Sequence, residues 1–309
     1  MNRKSNVKVG KLLIKIKRNW ALYLLLLPAL IYVAVFLYGP MYGVLIAFKD
    51  FSAVKGIWGS PWVGLKHFRN FFNSYNFWDV LSNTIILSLY QLFAGFPIPI
   101  IFALLLNHLP VKSLKKTVQT ASYAPHFISV VVLVGILEVF LAPSTGLLNV
   151  IIKALGGNPV DFMSRADMFR HIYVISGIWQ NTGYSSIIYI AALTGINPEL
   201  HEAATVDGAN KLQRIWHVDI PGILPTAITL LILNTGRILS IGFEKAFLMQ
   251  RPLNTTTSEI ISTYVYKIGL LNAQYSYSTA IGLFNSVVGC IMLLIVNYAS
   301  RKLTEVSLW

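Results

Sequence analysis

The chain has 309 residues, of which 55% are hydrophobic and only 12% are charged, and its mean hydropathy is +0.62. Soluble globular domains carry about 25% charged residues, so this composition excludes an ordinary soluble protein. The net charge is +13, from 25 Lys and Arg against 12 Asp and Glu. Seven of the basic residues precede Trp20 and lead into an apolar run. This distribution is typical of a cytoplasmic tail beside membrane lipid, and we expect no nucleic-acid partner.

Six apolar stretches are long enough to cross a bilayer, which requires about 20 mainly apolar residues. In chain order they cover residues 19–48, 80–111, 117–137, 171–198, 220–236 and 268–300, and the fifth is expected to continue past Arg237 toward Phe247. Aromatic residues near their ends, such as Trp20 and Trp78, are typical of the membrane interface. The sequence therefore predicts an all-α membrane protein with six transmembrane helices.

The basic residues also predict the orientation of the chain. With the N-terminus inside, the cytoplasmic segments hold 14 Lys and Arg and the external segments hold 9, and such an excess marks the cytoplasmic side. We therefore predict a basic cytoplasmic tail over residues 1–19, a six-span domain over 20–300 and a cytoplasmic C-terminal tail over 301–309. Both termini are expected in the cytoplasm, and the segment 144–167 is expected outside.

The segment 196–225, between the fourth and fifth stretches, carries the signals of a helix that begins near its start. Asn197 is a favourable N-cap, and Pro198 suits the first helical position. Glu199 places negative charge near the helix N-terminus, where the helix dipole favours it. A short helix is therefore predicted over residues 198–207.

A glycine is expected to end this helix and turn the chain back. Gly208 can adopt the positive φ that terminates a helix, and a second, basic helix is predicted over residues 209–217. The two helices would form a hairpin on the cytoplasmic surface. Four residues of the first helix share one face at helical spacing: Leu200, Ala203, Ala204 and Asp207. Such a small, mostly apolar ridge is suited to lie in the groove of a partner protein.

The loop also contains a spaced motif. It consists of Glu202, Ala203, Ala204, Gly208, Val218, Ile220 and Pro221, with nine residues between Gly208 and Val218. This pattern resembles the EAA motif of permease subunits of type I ABC importers, in which Glu-Ala-Ala and a glycine precede Ile-x-Leu-Pro. Val218 replaces the isoleucine of the family and Ile220 replaces its leucine, and both replacements are conservative.

The resemblance extends over nearly the whole chain. Besides the basic N-terminal tail, it includes the segments marked by Tyr38, Gly39 and Pro40 and by Gly64, Leu65, Phe68 and Phe71. These segments resemble carbohydrate-uptake permeases, in particular the LplB-type group associated with lipoprotein-borne oligosaccharide uptake. The resemblance implies the type I permease fold in a bacterial plasma or inner membrane and an oligosaccharide cargo.

The same resemblance implies partners and a role for the loop. A coupling helix would contact a separate ATPase through Glu199, Glu202, Ala203, Ala204, Asp207 and Gly208. The chain would pair with a second permease subunit as a pseudo-symmetric heterodimer, and an extracytoplasmic solute-binding protein or lipoprotein would deliver the solute. ATP and Mg would bind to two ABC ATPase subunits. No cofactor is expected on this chain.

Polar residues inside two of the stretches are candidates for a transport pathway, because polar side chains in a bilayer normally face protein, water or substrate. The candidates are Gln180, Asn181 and Tyr184 in the fourth stretch and Asn234, Arg237 and Glu244 in the fifth. Amide groups and an aromatic ring suit a sugar. Resemblance to maltose-type permeases implies sugar contacts at all of these positions except Glu244. The alternative is hydrogen bonding between helices.

Other function classes have less support. The nearest approach to a phosphate-binding P-loop, at residues 59–64, lacks the lysine, and the six histidines lack metal-ligand spacing. The chain is therefore not expected to be an enzyme, and a membrane-embedded glycan enzyme would need catalytic carboxylates or metal ligands in a loop. The main alternative is a secondary transporter or channel without an ATPase. It would need carboxylates within the membrane, for which Glu138 and Glu244 qualify.

Overall fold

The computed structural model describes residues 18–236, 239 and 241–304. Within these ranges the regular structure is helical, apart from a single antiparallel β-bridge between Lys49 and Trp62. The all-α class predicted from the apolar stretches is therefore confirmed. Most of the N-terminal tail, Arg237 and the residues after Thr304 lie outside the described part of the chain.

The described part of the chain contains fourteen helices, numbered here in chain order. They are α1 Trp20–Phe48, α2 Gly56–Gly59, α3 Lys66–Phe72, α4 Phe77–Asn107, α5 Lys112–Tyr123, α6 Val130–Leu141, α7 Leu147–Ala154, α8 Ala166–Thr194, α9 Pro198–Val206, α10 Lys211–Gly236, α11 Phe243–Met249, α12 Thr255–Ser258, α13 Ile261–Tyr266 and α14 Tyr275–Thr304. Two of the long helices contain a wide π turn, at Val33–Tyr38 in α1 and at Ile215–Asp219 in α10.

Four helices are individually long and apolar enough to cross a membrane: Trp20–Phe48, Phe77–Asn107, Lys211–Gly236 and Tyr275–Lys302. The bent pair Lys112–Phe127 and Val130–Leu141 is a fifth candidate. The described residues thus contain four or five such spans, against six predicted. The predicted span that is missing from these candidates is the fourth, which lies in α8. Ten of the 29 residues of α8 are buried. A helix that packs against protein on several sides carries small and polar residues there, which lowers its hydropathy.

The third predicted stretch, 117–137, is not a straight helix. Helices α5 and α6 meet at an angle of 101° across a short break, which corrects the predicted single helix. Pro125 lies in a 3-10 turn, and Ile128 after it is extended. The Ser129 hydroxyl then accepts a hydrogen bond from the Val132 amide and caps α6. Proline disfavours a continuous helix, and the serine cap starts the next helix in a new direction.

The last two stretches differ from prediction at their ends. Helix α10 is described as far as Gly236, residues 241 and 242 are not helical, and α11 begins after Gly242 as a separate helix, so the fifth stretch does not continue as one helix to Phe247. Glycine weakens helices, and Gly242 is the residue that precedes α11. The sixth stretch is observed as α14, which begins at Tyr275. Residues Lys267–Leu271 form a separate wide turn, and Ala273 between the two has a φ of +54°.

Helix α8 runs through the protein core. Phe169 belongs to an apolar cluster shared with α4, α6 and α11, and Tyr189 belongs to a second cluster shared with α4 and α10. Between them, Gly183 lies against the backbone of α5, and a Cβ atom added to it would lie 2.1 Å from the Ser122 carbonyl oxygen. These contacts place the polar middle of α8 among α4, α5 and α10.

Candidate functional site

A cavity of about 580 Å³ opens among α4, α8 and α10. Its polar lining residues are Ser88, Gln91, Asn181, Thr182, Tyr184, Ser185, Tyr189 and Asn234. The larger apolar residues that line it are Leu92, Phe96, Pro99, Ile178, Ile187, Ile188, Leu230 and Ile241. Small-molecule sites are typically clefts of about 300–1,000 Å³ with a few placed polar groups in an apolar wall. The cavity has both the size and the composition of such a site.

Three of the six predicted pathway residues line this cavity: Asn181, Tyr184 and Asn234. Gln180 is not among the lining residues; it is buried, and its Nε2 donates to the Ile128 carbonyl oxygen at 2.8 Å. Glu244 is exposed on α11 and is not among them either. Arg237 lies outside the described residues. The geometry therefore favours a packing role for Gln180, while the binding role of the other residues stays a prediction.

The break between α5 and α6 brings a histidine to this group. The His126 ring stacks on the Tyr184 ring, with 3.8 Å between centroids and 4° between planes. His126 Nδ1 lies 3.0 Å from Asn181 Oδ1, and because an amide oxygen can only accept, the histidine is the donor. The Asn181 amide in turn donates to the Gly177 carbonyl oxygen at 3.0 Å. His126 therefore orients two of the three predicted residues that line the cavity.

His126 was not predicted as a site residue, because the six histidines show no common spacing in the sequence. A signal was nevertheless present. Pro125 precedes this histidine within an apolar stretch, and a proline in a membrane helix is tolerated where other groups satisfy the freed backbone. A histidine next to a proline that interrupts a membrane helix is therefore a candidate for a binding site between helices.

A buried lysine lies behind the cavity wall. The Nζ atom of Lys245, on α11, donates to the Tyr173 carbonyl oxygen at 2.8 Å and lies 4.7 Å from the centroid of the Tyr173 ring. A Cβ atom on Gly177 would lie 3.2 Å from this Nζ and 3.4 Å from Gln91 Oε1, so the glycine leaves room for both side chains. The sequence suggested no role for Lys245 or Gln91, although ionisable groups inside membrane proteins are commonly functional.

The segment between α1 and α4 carries an exposed ion pair beside a buried histidine. Asp50 accepts a hydrogen bond from Lys66 Nζ at 2.7 Å and lies 3.0 Å from His67 Nε2. The hydrogen bond from Lys66 lowers the pKa of the Asp50 carboxyl below its ordinary value. A lowered pKa means that this carboxylate stabilises the fold at neutral pH and that the contribution is lost as the pH falls through the folded-state pKa. The contribution is small because the pair is exposed.

The loop between α8 and α10 has the local structure predicted from its sequence. The Asn197 side chain accepts a hydrogen bond from the Glu199 amide at 3.1 Å, and Pro198 occupies the first turn of α9. Gly208 follows the helix with a φ of +78°. The second helix of the predicted hairpin differs from prediction. Asn210 caps it, and it does not end at residue 217 but continues to Gly236 as α10. The second helix of the hairpin is therefore the first part of α10.

The predicted coupling residues lie on the surface of this loop. Glu199, Glu202, Ala203, Asp207 and Gly208 are exposed, and Ala204 is partly buried. Large apolar side chains are exposed beside them, at Leu200, Val206, Leu212 and Trp216. The loop thus presents a mixed acidic and apolar surface, and its role in coupling stays a prediction.

Long apolar helices, a cavity with polar groups among them and an exposed helical hairpin are features of a helical membrane protein. The family described as "Binding-protein-dependent transport system inner membrane component" matches residues 83–305, which run from α4 to the end of the described α14. Because this match covers more than half of the chain, the chain belongs to that family of ABC transporter permeases. It is therefore a multi-pass protein of the bacterial membrane.

Individual relatives are similar over almost their full length. Protein LplB of Bacillus subtilis (strain 168) is 45% identical over 294 residues, covering 95% of this chain and 92% of LplB. The polygalacturonan/rhamnogalacturonan transport system permease protein YteP of the same organism is 42% identical, covering 98% and 94%.

A solved structure of a bacterial ABC transporter involved in the import of the acidic polysaccharide alginate superposes with a TM-score of 0.89 at 42% identity, covering 95% of this chain and 99% of that one. A second structure, of a bacterial alginate transporter in complex with an alginate pentasaccharide-bound periplasmic protein, superposes with a TM-score of 0.88 at 41% identity, covering 95% and 98%.

Proposed function

We propose that this chain forms one half of the membrane pathway of an ABC importer for an oligosaccharide. The observation that carries the proposal is the cavity on α8, where Asn181, Tyr184 and Asn234 come together and His126 stacks on Tyr184. Amide groups hydrogen-bond the hydroxyls of a sugar. An aromatic ring packs against the C–H face of a pyranose. The cavity thus offers both kinds of contact within one site.

The relatives and one buried charge favour an acidic sugar. YteP is named for polygalacturonan and rhamnogalacturonan, and the superposed structures come from transporters of alginate, described as an acidic polysaccharide. In this chain, Lys245 lies behind the cavity wall beside Gly177. A cation close to a site of low dielectric attracts a carboxylate. We therefore propose a uronate-containing oligosaccharide as the cargo.

We propose six spans, with the bent pair α5 and α6 as the third and α8 as the fourth. The 29 residues of α8 reach about 44 Å at a rise of roughly 1.5 Å per residue, which exceeds the roughly 30 Å of a hydrocarbon core. The spanning domain then covers residues 20–300. The tails 1–19 and 301–309 and the coupling loop 196–225 lie in the cytoplasm.

The proposed assembly contains a second permease, two ABC ATPase subunits with ATP and Mg, and an extracytoplasmic solute-binding protein. Binding of ATP draws the ATPase subunits together. Because the coupling loop of each permease would rest on one of them, this closure shifts the permease bundle between inward- and outward-open states. Hydrolysis resets the cycle. The chemistry of ATP thus belongs to the partners, and this chain contributes the pathway and the loop.

A secondary transporter would use carboxylates inside the membrane. Glu138 forms an ion pair with Arg251, Glu244 is exposed, and neither is among the lining residues of the cavity. Membership of a binding-protein-dependent family also opposes a transporter that works alone.

Uptake by the assembled transporter tests the proposed cargo. We expect cells that express the chain with its partner subunits to accumulate labelled galacturonan oligosaccharides but not neutral arabino-oligosaccharides. His126→Ala and Tyr184→Ala should each lower uptake about fivefold, because stacking contributes about 1 kcal/mol. Tyr75→Ala, which removes a ring that is 92% exposed, is the control. Equal uptake of the neutral sugar would refute the acidic cargo, and no uptake of either sugar would refute the transport proposal.

Cysteine labelling tests the proposed orientation. In a Cys290→Ala background, we expect an impermeant maleimide on whole cells to label Asn158→Cys but not Lys112→Cys. Residue 158 lies in the predicted external segment 144–167. Residue 112 lies between the second and third stretches, where the predicted orientation places the chain in the cytoplasm. Both positions are exposed in the structure, so a membrane-permeant maleimide should label both and serves as the control. Labelling of Lys112→Cys on intact cells would contradict the orientation.

A further inference from the structure

A buried carboxylate lies where three elements meet at the base of α10. Asp219 is fully buried and is the last residue of the wide turn Ile215–Asp219. His108 approaches it from the C-terminal end of α4, and His201 approaches it from α9. The cluster therefore joins the proposed coupling helix to two helices that are long enough to span the membrane.

The two histidine contacts of Asp219 are different. His108 Nε2 lies 2.7 Å from Asp219 Oδ2, which is a hydrogen bond. His201 Nε2 lies 3.4 Å from Asp219 Oδ1, and this buried oxygen has no hydrogen-bond partner in the described part of the chain. An N–H···O hydrogen bond is about 2.9 Å long, so a shift of about half an ångström would form it. Because an unpaired buried acceptor is unfavourable, the contact is poised to close.

Helix α9 contacts the rest of the protein through few side chains. His201 and Ala204 are partly buried, and the other residues of α9 are exposed. A further link is the hydrogen bond that Arg214 Nη1 donates to Thr205 Oγ1 at 3.1 Å, which is an exposed contact. Few contacts therefore fix the position of α9, and His201 is the side chain through which it reaches the buried carboxylate of Asp219.

We propose that His201 and Asp219 are positioning residues whose contact closes and opens as the coupling helix moves, so that an ATPase displaces α4 and α10 together. Asp219 stays bonded to His108 in both states, which links the end of α4 to the same movement. The inference rests on the proposed function, because it assigns the residues through which the coupling loop acts on the pathway. Neither histidine is required to touch the solute or ATP.

The test compares transport with ATP consumption in the full complex with its binding protein. His201→Leu keeps a side chain of similar bulk without a donor, whereas His201→Gln keeps an N–H group near the Nε2 position. We expect His201→Leu and Asp219→Asn to lower the sugar imported per ATP hydrolysed about fivefold, with complex yield and basal ATP hydrolysis retained. His201→Gln should restore most of the ratio. His217→Leu is the matched control, because His217 is exposed and its Nδ1 contacts the Gln213 carbonyl oxygen of its own helix.

The outcomes separate this inference from the function on which it rests. The double variant of His201→Leu and Asp219→Asn should be no worse than the poorer single variant, because both changes remove the same contact. A His201→Leu complex that imports sugar at the wild-type ratio would overturn the inference while leaving the proposed function in place. Failure of His201→Gln to improve on leucine would also overturn it, since packing alone would then explain the defect. A wild-type complex without uptake would overturn both proposals.

Discussion

Replacement of Gly183 by valine is expected to prevent the chain from folding into a stable permease. A Cβ atom at this position would lie 2.1 Å from the Ser122 carbonyl oxygen and 2.9 Å from the Ser122 Cβ. These atoms belong to the backbone of α5 and its first side-chain atom, which cannot rotate away. The helices would have to separate, and overpacking of a core typically costs about 1–3 kcal/mol or more. Separation would also move the break that carries His126 away from Tyr184.

The measurement is the yield of monodisperse protein in detergent and its thermal unfolding midpoint. Gly135→Val is the matched control, because it makes the same change in the apolar helix α6, where an added Cβ would meet no atom within 4 Å. We expect the control to purify like the wild type and Gly183→Val to be lost or to unfold at a clearly lower temperature. A Gly183→Val protein with wild-type yield and midpoint would show that α5 and α8 do not approach as closely as described.

Features of this protein that depend on neighbouring residues in the chain were predictable from sequence. The cap at Asn197 and the positive φ of Gly208 are observed as expected, because capping and left-handed backbone conformations are decided within a few residues. The apolar stretches likewise predicted helices, since a segment in lipid must satisfy its own backbone hydrogen bonds.

Features that depend on contacts between distant segments were not predictable in the same way. Residues 117–137 contain no Asp, Glu, Lys or Arg, so the sequence predicts a single span there, and Pro125 is the local signal of the 101° turn between α5 and α6. Gln180 and Tyr184 are four residues apart in α8, a spacing that places them on one face of the helix. The spacing does not show that Gln180 would hydrogen-bond the Ile128 carbonyl oxygen or that the His126 ring would stack on Tyr184. Spacing identifies a face, but the partner of that face is set by the tertiary fold.

The second large effect is expected at the coupling loop. Gly208 has a φ of +78° and is exposed, so valine there would impose a strained backbone, at a cost of roughly 1–2 kcal/mol, and would change the direction in which the chain leaves α9. Glu202→Lys would reverse an exposed charge on the same helix. We expect each variant to lower ATP hydrolysis stimulated by the binding protein about tenfold. Gly208→Val would act by misplacing α9, and Glu202→Lys would act by weakening charge complementarity with the ATPase.

Two conservative variants separate geometry and charge from general damage to the loop. Gly208→Asn should retain most of the stimulation, because asparagine tolerates positive φ better than other non-glycine residues. Glu202→Gln should fall between the wild type and the lysine variant, since it removes the charge without reversing it. Copurification of the ATPase subunits shows whether docking or a later step is lost. If Gly208→Val and Glu202→Lys both keep wild-type stimulation in a fully assembled complex, then α9 does not couple ATP hydrolysis to transport, and its exposed acidic and apolar surface must contact a different partner.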